Sequence, residues 1–404
     1  MKVEPKHDFT AKLRQENLLP HVLNYVEWQK AVRRTQAKGE EIPPMPDIAL
    51  TSINLDLTTA CNYRCDHCID FDILNSKQRY AHENLLSSLQ NMIERGLRSV
   101  ILIGGGEPTL YPGFGEVVRF LKKSDIQVAI VSNGSRNERI REIADVLTER
   151  DWVRLSLDSG TDATFQKMHK PLKPVILEDI CSWVPRIRER NPRLQVGFSF
   201  IIVWQGAERA GNVKIVENIN EIVSATRLAQ RHGFNYISLK PYLTRQPSGA
   251  EVMDPSVMAN FDDTMSKINS AVKEAKSLET ENFKVIESTN LQVLMANTWR
   301  EFTKQPRTCH MTAFRQVVSP LGTYHCPTHR GIPKARIGDT GVRDVSSAGV
   351  TTKEQVAKII GKFDASRECS EITCLYNSAN WWIEDMINGN VDSVPLPDRG
   401  DYYL

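Results

Sequence analysis

The chain has 404 residues, of which 41% are hydrophobic, and its 51 basic residues nearly balance its 49 acidic ones. This composition supports a large core, while the near-neutral charge argues against a broad phosphate-binding surface, so we expect no nucleic-acid partner. The first ten residues lack the apolar stretch of a signal peptide, and no apolar run is long enough to cross a membrane. We therefore expect a cytoplasmic protein whose eight cysteines stay reduced and free to bind metal.

Residues 1–50 contain one or two helical patterns followed by the segment GEEIPPMP, which predicts an N-terminal helical extension and not a domain. Over residues 51–240, short apolar strands alternate with amphipathic helices in six β-then-α units. Serial units of this kind predict a parallel sheet with helices outside it. The expected fold class is therefore α/β, with a partial (β/α)6 barrel of the TIM type.

The alternation of strands and helices ends after residue 240. Residues 241–305 predict connecting helices and one short strand, and residues 306–404 predict short β-pieces followed by helices. We expect the last segment to form a small C-terminal α+β module.

Three cysteines, Cys61, Cys65 and Cys68, directly follow the first predicted strand, in the sequence CNYRCDHC. In a parallel α/β barrel this loop lies at the carboxyl-terminal face, where active sites form. A structural zinc ion would need a fourth ligand, for which Asp66 and His67 are the local choices. A 4Fe–4S cluster held by three thiolates instead leaves one iron free to bind a substrate or cofactor.

A glycine-rich sequence, GGGEP at 104–108, ends the second predicted strand. Its glycines allow close backbone approach, and a carboxylate can accept a hydrogen bond from an ammonium group. The spacing does not match G-x-G-x-x-G, which argues against a Rossmann dinucleotide site. Polar residues end the next two strands, in VSNG at 131–134 and LSLDSG at 155–160. Such residues are also typical of strand-to-helix turns and N-caps, so that alternative stays open.

Together these motifs resemble the radical S-adenosylmethionine (SAM) superfamily, whose signature is C-x3-C-x2-C directly after the first strand. The resemblance covers about residues 51–240 and implies that the amino and carboxylate groups of SAM bind the open iron. It also implies reductive cleavage of SAM to a 5′-deoxyadenosyl radical, which removes a hydrogen atom from a substrate. The implied partner is an electron donor such as flavodoxin or ferredoxin.

The resemblance also assigns SAM contacts to residues at the ends of these strands. The implied contacts are the GGE residues Gly105, Gly106 and Glu107, the strand-end residues Ser132, Asn133, Ser156 and Asp158, and His67 before the third cysteine. Many relatives carry an aromatic residue at the position of His67, where it packs against adenine. Histidine offers less apolar area for that contact.

Four further cysteines, Cys309, Cys326, Cys369 and Cys374, lie in the C-terminal segment. Zinc is an alternative metal, but this set has no C-x2-C pair of the usual zinc type. The layout resembles the twitch and SPASM modules of radical SAM enzymes, which implies one auxiliary 4Fe–4S cluster with all four irons held by cysteine. The remaining cysteine, Cys181, lies in an apolar helix and is expected in the core.

The resemblance further implies an oxidoreductase. Four-cysteine modules occur in relatives that oxidise an aminocyclitol alcohol. We therefore expect hydrogen abstraction from a small polar substrate (aminocyclitol, sugar or nucleoside), with the auxiliary cluster as electron acceptor. Lys240, Tyr242 and Arg245, at the end of the sixth strand, are candidates to contact this substrate. Two alternatives stay open: a maturase that modifies a ribosomally made peptide, and a non-catalytic zinc- or iron–sulfur-binding protein that interacts with RNA or protein.

Overall fold

The computed structural model describes residues 8–246, 250–253, 255, 258, 260–338 and 348–404. Its main sheet contains ten strands. Eight of them run parallel: β1 (Ser52–Leu55), β2 (Ser99–Leu102), β3 (Gln127–Ser132), β4 (Trp152–Ser156), β5 (Gln195–Ile202), β6 (Tyr236–Pro241), β7 (Lys284–Glu287) and β8 (Arg315–Ser319). Two antiparallel strands, β9 (Gly322–Tyr324) and β10 (Arg336–Gly338), extend the sheet beyond β8.

The order of strands across the sheet is β7-β6-β5-β4-β3-β2-β1-β8-β9-β10. Strands β1 to β6 lie side by side in chain order, as serial β-then-α units predict, which confirms the α/β class and the partial barrel. The sheet extends on both sides, because β7 pairs with β6 and β8 pairs with β1, both in parallel. The strands expected after residue 306 are thus continuous with the barrel sheet.

Helices cover the outer side of the barrel strands. They are α3 (His82–Glu94), α4 (Phe114–Lys123), α5 (Asn137–Ile143), α6 (Asp162–His169), α7 (Leu177–Cys181), α8 (Trp183–Arg190) and α9 (Ile222–Arg231). Their apolar residues recur at helical spacing, as Leu85, Leu89 and Met92 do in α3. These side chains pack with outward-facing strand residues such as Leu155 in the main core, where Cys181 is also fully buried.

The N-terminal extension packs against the C-terminal segment. The remaining helices are α1 (Phe9–Leu13) and α2 (Leu19–Lys38) in the extension, α10 (Phe261–Lys276) and α11 (Thr289–Met295) in the connecting segment, and α12 (Ala348–Lys362), α13 (Ala365–Glu368) and α14 (Asn377–Ile387) near the end of the chain. Tyr25 and Val26 of α2 share a second hydrophobic core with Ile383 and Met386 of α14. None of the described helices combines the length and apolar composition needed to span a bilayer.

Residues 398–404 cover the amino-terminal end of the barrel. Ser99, which begins β2, donates from Oγ to the carbonyl of Tyr402 at 2.7 Å, and the Tyr402 N–H donates to Oε1 of Gln127, which begins β3, at 3.0 Å. The opposite end carries two short antiparallel ribbons in the loops after β5 and β6. These are Glu208–Arg209 with Val213–Lys214, and Thr244–Arg245 with Glu251–Val252. The loops that carry the cysteines after β1 and the GGGEP sequence after β2 lie at this second end.

Candidate active site

The loop after β1 carries the thiols of Cys61, Cys65 and Cys68, all free and partly exposed. Burial raises the pKa of Cys61 to about 11 and that of Cys68 to about 12, and it raises the pKa of Cys65 as well. Bare thiolates are therefore disfavoured in this loop. A positively charged metal centre is the kind of partner that stabilises them.

The GGGEP loop packs directly against the cysteine loop. The N–H of Glu107 donates to the carbonyl of Ala60 at 2.8 Å. A Cβ atom on Gly106 would lie 2.4 Å from the same carbonyl oxygen, and Gly105 has a φ of 65°, a conformation that favours glycine. The close approach of the two loops therefore explains the glycine at position 106, and the left-handed backbone explains the glycine at position 105.

The Glu107 carboxylate is buried and is hydrogen-bonded within the protein. Its Oε1 accepts from the N–H and hydroxyl of Thr109 and from the hydroxyl of Ser132, and its Oε2 accepts from the N–H of Asn133 at 2.7 Å. The carboxylate thus fixes the end of β3 to the glycine-rich loop. Since a carboxylate oxygen has two lone pairs, Oε2 keeps one acceptor position for an ammonium group.

Asn133 connects the end of β3 to the cysteine loop. Its Nδ2 donates to Oδ1 of Asn62 at 3.0 Å and lies 4.0 Å from Sγ of Cys61. The structure therefore brings Glu107, Ser132 and Asn133 together beside the first cysteine. This is the arrangement that SAM contacts at these residues would require.

His67 and Asp158 form a buried pair on the other side of the cysteine loop. His67 Nε2 lies 3.1 Å from Asp158 Oδ2, and Asp158 Oδ1 accepts from the N–H of Ile201 at 2.7 Å. Burial acts to raise the pKa of Asp158, but the hydrogen bond and charge of His67 outweigh it and hold that pKa below its usual value. Asp158 is therefore an ionised carboxylate with both oxygens engaged.

His169, at the end of α6, was not among the residues that the sequence motifs indicated. Its Nδ1 lies 3.3 Å from Sγ of Cys65, and its Nε2 lies 2.9 Å from the carbonyl oxygen of Leu157. Burial lowers the pKa of His169 to about 4. Because a carbonyl can only accept, Nε2 carries the proton, and Nδ1 accepts from Cys65 as long as Cys65 is a protonated thiol.

The structure shows which donor atoms lie close enough together to bind one metal ion. Donor atoms around one tetrahedral zinc ion lie about 3.8 Å apart. Among the described residues, the group of three whose donor atoms all lie within 4.8 Å of one another is Cys65, His67 and His169, and no three cysteines form such a group. Cysteines that each bind a different iron of a cubane cluster stand further apart, so a close group of three cysteines is not a requirement of the cluster hypothesis.

The four C-terminal cysteines line one cavity together with Arg315. They are Cys309, Cys326, Cys369 and Cys374. Burial raises the pKa of Cys326 to about 11 and raises the pKa of the other three thiols. Four thiols around one cavity, each disfavoured as a bare thiolate, match the donor set of one metal cluster.

Arg330, from the C-terminal segment, joins the two cysteine regions. Its guanidinium donates to Asp70 Oδ1 and Oδ2 at 2.7 and 2.9 Å, and its Nε lies 3.0 Å from Asp56 Oδ2. Asp70 lies two residues after Cys68 and also accepts from the N–H of Gly105 at 3.1 Å. Arg330, Asp56 and Asp70 are only 4%, 1% and 6% exposed. This ion cluster therefore ties the cysteine loop and the glycine-rich loop to the C-terminal segment.

Replacing Arg330 with methionine is expected to lower the free energy of unfolding by about 3 kcal/mol or more, because it leaves two buried carboxylates without their cation. We also expect less iron to bind at the loop that holds Asp70. Anaerobic urea denaturation and iron analysis check this result. Lys334→Met is the matched control, because its ion pair with Glu368 is exposed and is worth about 1 kcal/mol or less. A loss in the Arg330 variant no larger than in this control would contradict the prediction.

The three candidate substrate residues have different surroundings. Lys240 donates from Nζ to Ser199 Oγ at 3.2 Å on the inner face of the barrel. Tyr242 is buried, and its hydroxyl donates to a carbonyl of the ribbon after β5 at 3.3 Å. Arg245 is buried and donates to the carbonyl of Arg330 at 2.6 Å. Lys240 therefore faces the barrel interior, while Tyr242 and Arg245 contact neighbouring loops.

Residues 55–239 match the family described as the Radical SAM superfamily. A SAM-dependent nucleotide dehydratase of Thermoplasmatales archaeon (strain ISO4-H5) is 34% identical over 114 residues, which are 28% of this chain and 39% of that protein. Mycofactocin maturase MftC of Mycobacterium ulcerans (strain Agy99) is 34% identical over 111 residues, which are 26% of this chain and 28% of that protein. The chain thus spans less than half the length of these curated relatives.

Among solved structures, Streptococcus suis SuiB bound to S-adenosylmethionine matches with a TM-score of 0.55 at 14% identity, over 80% of this chain and 69% of that chain. At this identity the likeness shows the fold, and it agrees with the partial barrel. The matched residues 55–239 include Cys61, Cys65, Cys68 and the GGGEP loop. The family implies SAM and a 4Fe–4S cluster as cofactors. Residues 55–239, just under half of the chain, therefore form a domain similar to those of the Radical SAM superfamily.

Proposed function

We propose that this enzyme abstracts a hydrogen atom from a small polar substrate and dehydrogenates it. The observation that supports the redox assignment is the cavity shared by the four C-terminal cysteines. A second 4Fe–4S cluster held there at all four irons has no open position for a substrate, which leaves it a role in electron transfer or structure. The relative named as a nucleotide dehydratase supports a small, polar substrate of nucleoside type.

When bound, the first cluster and SAM supply a 5′-deoxyadenosyl radical, and the second cluster supplies an electron acceptor. A reduced flavodoxin or ferredoxin supplies the first electron. Oxidation of an alcohol to a ketone would require the substrate to give up one hydrogen atom to the radical, one electron to the acceptor and one proton to solvent. The chain itself would hold and orient the reactants: Cys61, Cys65 and Cys68 would each hold one iron, while Glu107 and Asn133 would lie against SAM.

A maturase is the second candidate, because MftC is as similar over its matched region as the dehydratase is. The described part of the extension before β1 consists of α1, α2 and the segment that leads to β1, packed into the second core. Transfer of label from a peptide or from a small molecule decides between the two candidates.

Anaerobic reconstitution tests the proposal. We expect about eight irons per chain, reductive cleavage of SAM, and deuterium transfer into 5′-deoxyadenosine from a labelled aminocyclitol, sugar or nucleoside. About four irons with intact SAM cleavage would remove the second cluster from the proposal. Transfer from a peptide and from no small molecule would favour the maturase, and bound zinc without SAM cleavage would contradict both.

A further inference from the structure

The inner face of the barrel is polar along β4, β5 and β6. Ser156, Ser199 and Ser238 are direct register partners on these three adjacent strands, so their hydroxyls form one row. The residues that alternate with these serines along each strand, such as Leu155 and Phe198, lie on the opposite face and belong to the core beneath the helices. Barrel interiors are usually filled by layers of branched apolar side chains. A row of hydroxyls on the inner face is therefore suited to a polar ligand.

Two cations lie on either side of this serine row. Arg154 is two residues before Ser156 on β4, and Lys240 is two residues after Ser238 on β6, so both share the inner face. The hydrogen bond from Lys240 Nζ to Ser199 Oγ at 3.2 Å confirms that the lysine turns inward.

Neither Arg154 nor Lys240 is neutralised within the described part of the chain. The Arg154 guanidinium lies 5.1 Å from the ring centroid of Trp152, and its Nε is buried without a hydrogen-bond partner. The carboxylate that acts on both cations is Asp158, and its two oxygens already bind His67 and a backbone N–H.

Placing two cations in this interior is costly. Burial and, next, the charge of Arg154 lower the pKa of Lys240 well below its usual value, and burial lowers the pKa of Arg154. A bound anion would restore the charged form of the lysine and offset the repulsion between the two groups. The guanidinium, the ammonium and the hydroxyls are all hydrogen-bond donors, and oxyanions are hydrogen-bond acceptors.

We propose that Arg154, Lys240 and the serine row bind an anionic group of the substrate, a phosphate or a carboxylate. This inference rests on the proposed function, because it names the class of substrate that enters the same barrel. The carboxylate of SAM has the same chemistry, so the test has to separate the two sources. Arg154 is then a binding residue that the sequence motifs did not indicate, beside the candidate Lys240.

The test uses the reconstituted enzyme with saturating SAM, titrated calorimetrically with inorganic phosphate and with acetate. We expect the native protein to bind at least one of these probes. Lys240→Met and Arg154→Met should each weaken that binding by about tenfold or more, the loss of one charge-assisted hydrogen bond. Lys240→Arg and Arg154→Lys should retain part of it. Lys273→Met, on the exposed side of α10, is the matched control and should bind as the native protein does.

Unchanged probe binding in both methionine variants, or none in the native protein, would overturn the inference. A fall in SAM affinity with probe binding unchanged would assign the two cations to the carboxylate of SAM and overturn it equally. Iron content and SAM cleavage in the native enzyme report on the proposed function separately. Full iron loading and SAM cleavage without probe binding would therefore reject the anion site alone. Should the methionine variants fold poorly, probe binding by Lys240→Arg and Arg154→Lys tests the inference. Binding equal to that of the native protein in both would overturn it.

Discussion

Replacing Cys65 with alanine is expected to reduce the cleavage of SAM to the background rate of an enzyme-free control. Cys65 is the central thiol of the loop after β1, and its loss leaves the first cluster with two cysteine ligands in place of three. The product 5′-deoxyadenosine, measured by chromatography under anaerobic reducing conditions, gives the rate. Iron analysis should show about four fewer irons per chain than in the native protein.

Cys181→Ala is the matched control for this experiment. Cys181 is fully buried in the main core and lies in neither cysteine set, so its replacement removes packing and leaves the iron ligands in place. We expect a modest loss of stability, about 1 kcal/mol, with iron content and SAM cleavage retained. Native rates of SAM cleavage in the Cys65 variant would contradict the assignment of Cys61, Cys65 and Cys68 to the first cluster.

The barrel was predictable from sequence because its signals are local. Apolar spacing within α3 or α4 identifies each helix, and serial β-then-α units leave few ways to order the strands. The pairing of β8 with β1 was not predictable, since Ser52 and Arg315 become register partners only after the whole intervening barrel has formed. Neither short strand carries a local sequence signal for the strand it pairs with. The pairing that joins the C-terminal strands to the barrel sheet is therefore known only from the structure.

The same distinction holds for the candidate site. The cysteine loop and GGGEP are compact motifs whose chemistry can be deduced from a few adjacent residues. The contacts of Arg330 with Asp70 and of His169 with Cys65 join residues 260 and 104 positions apart, and no local pattern marks them. Arg154 is different, because an arginine at an alternating position of the strand WVRLS is itself a signal of a polar inner face.

The ion cluster around Arg330 links the two cysteine sets. It therefore decides whether a mutation in the C-terminal set also changes iron binding at the cysteines after β1. Cys326 and Arg330 belong to one short segment, and Arg330 holds Asp70 and Asp56 near the first set. A change that unfolds this segment would therefore affect both cysteine regions. A change that removes one ligand and keeps the segment in place should affect the second set alone. Iron content and SAM cleavage distinguish these two outcomes.

Replacing Cys374 with alanine is expected to leave part of the SAM cleavage and to block formation of the oxidised product. Cys374 lines the cavity of the second set, while the three cysteines that support SAM cleavage follow β1 at the other end of the Arg330 cluster. The substrate would still lose a hydrogen atom but would lack the acceptor for its electron. Iron content should fall by about four per chain, and product and 5′-deoxyadenosine are measured in the same reaction.

The ratio of the two products decides what the second set does in the Cys374→Ala protein. Oxidised product formed in native proportion to 5′-deoxyadenosine would contradict the redox role and leave the second cluster a structural one. Loss of both products, with a lower melting temperature than Cys181→Ala, would show that the cluster holds the C-terminal segment in place. An electron-transfer role requires that SAM cleavage is retained while little oxidised product forms. In that case loss of the second cluster stops oxidation of the substrate and leaves the first cluster active.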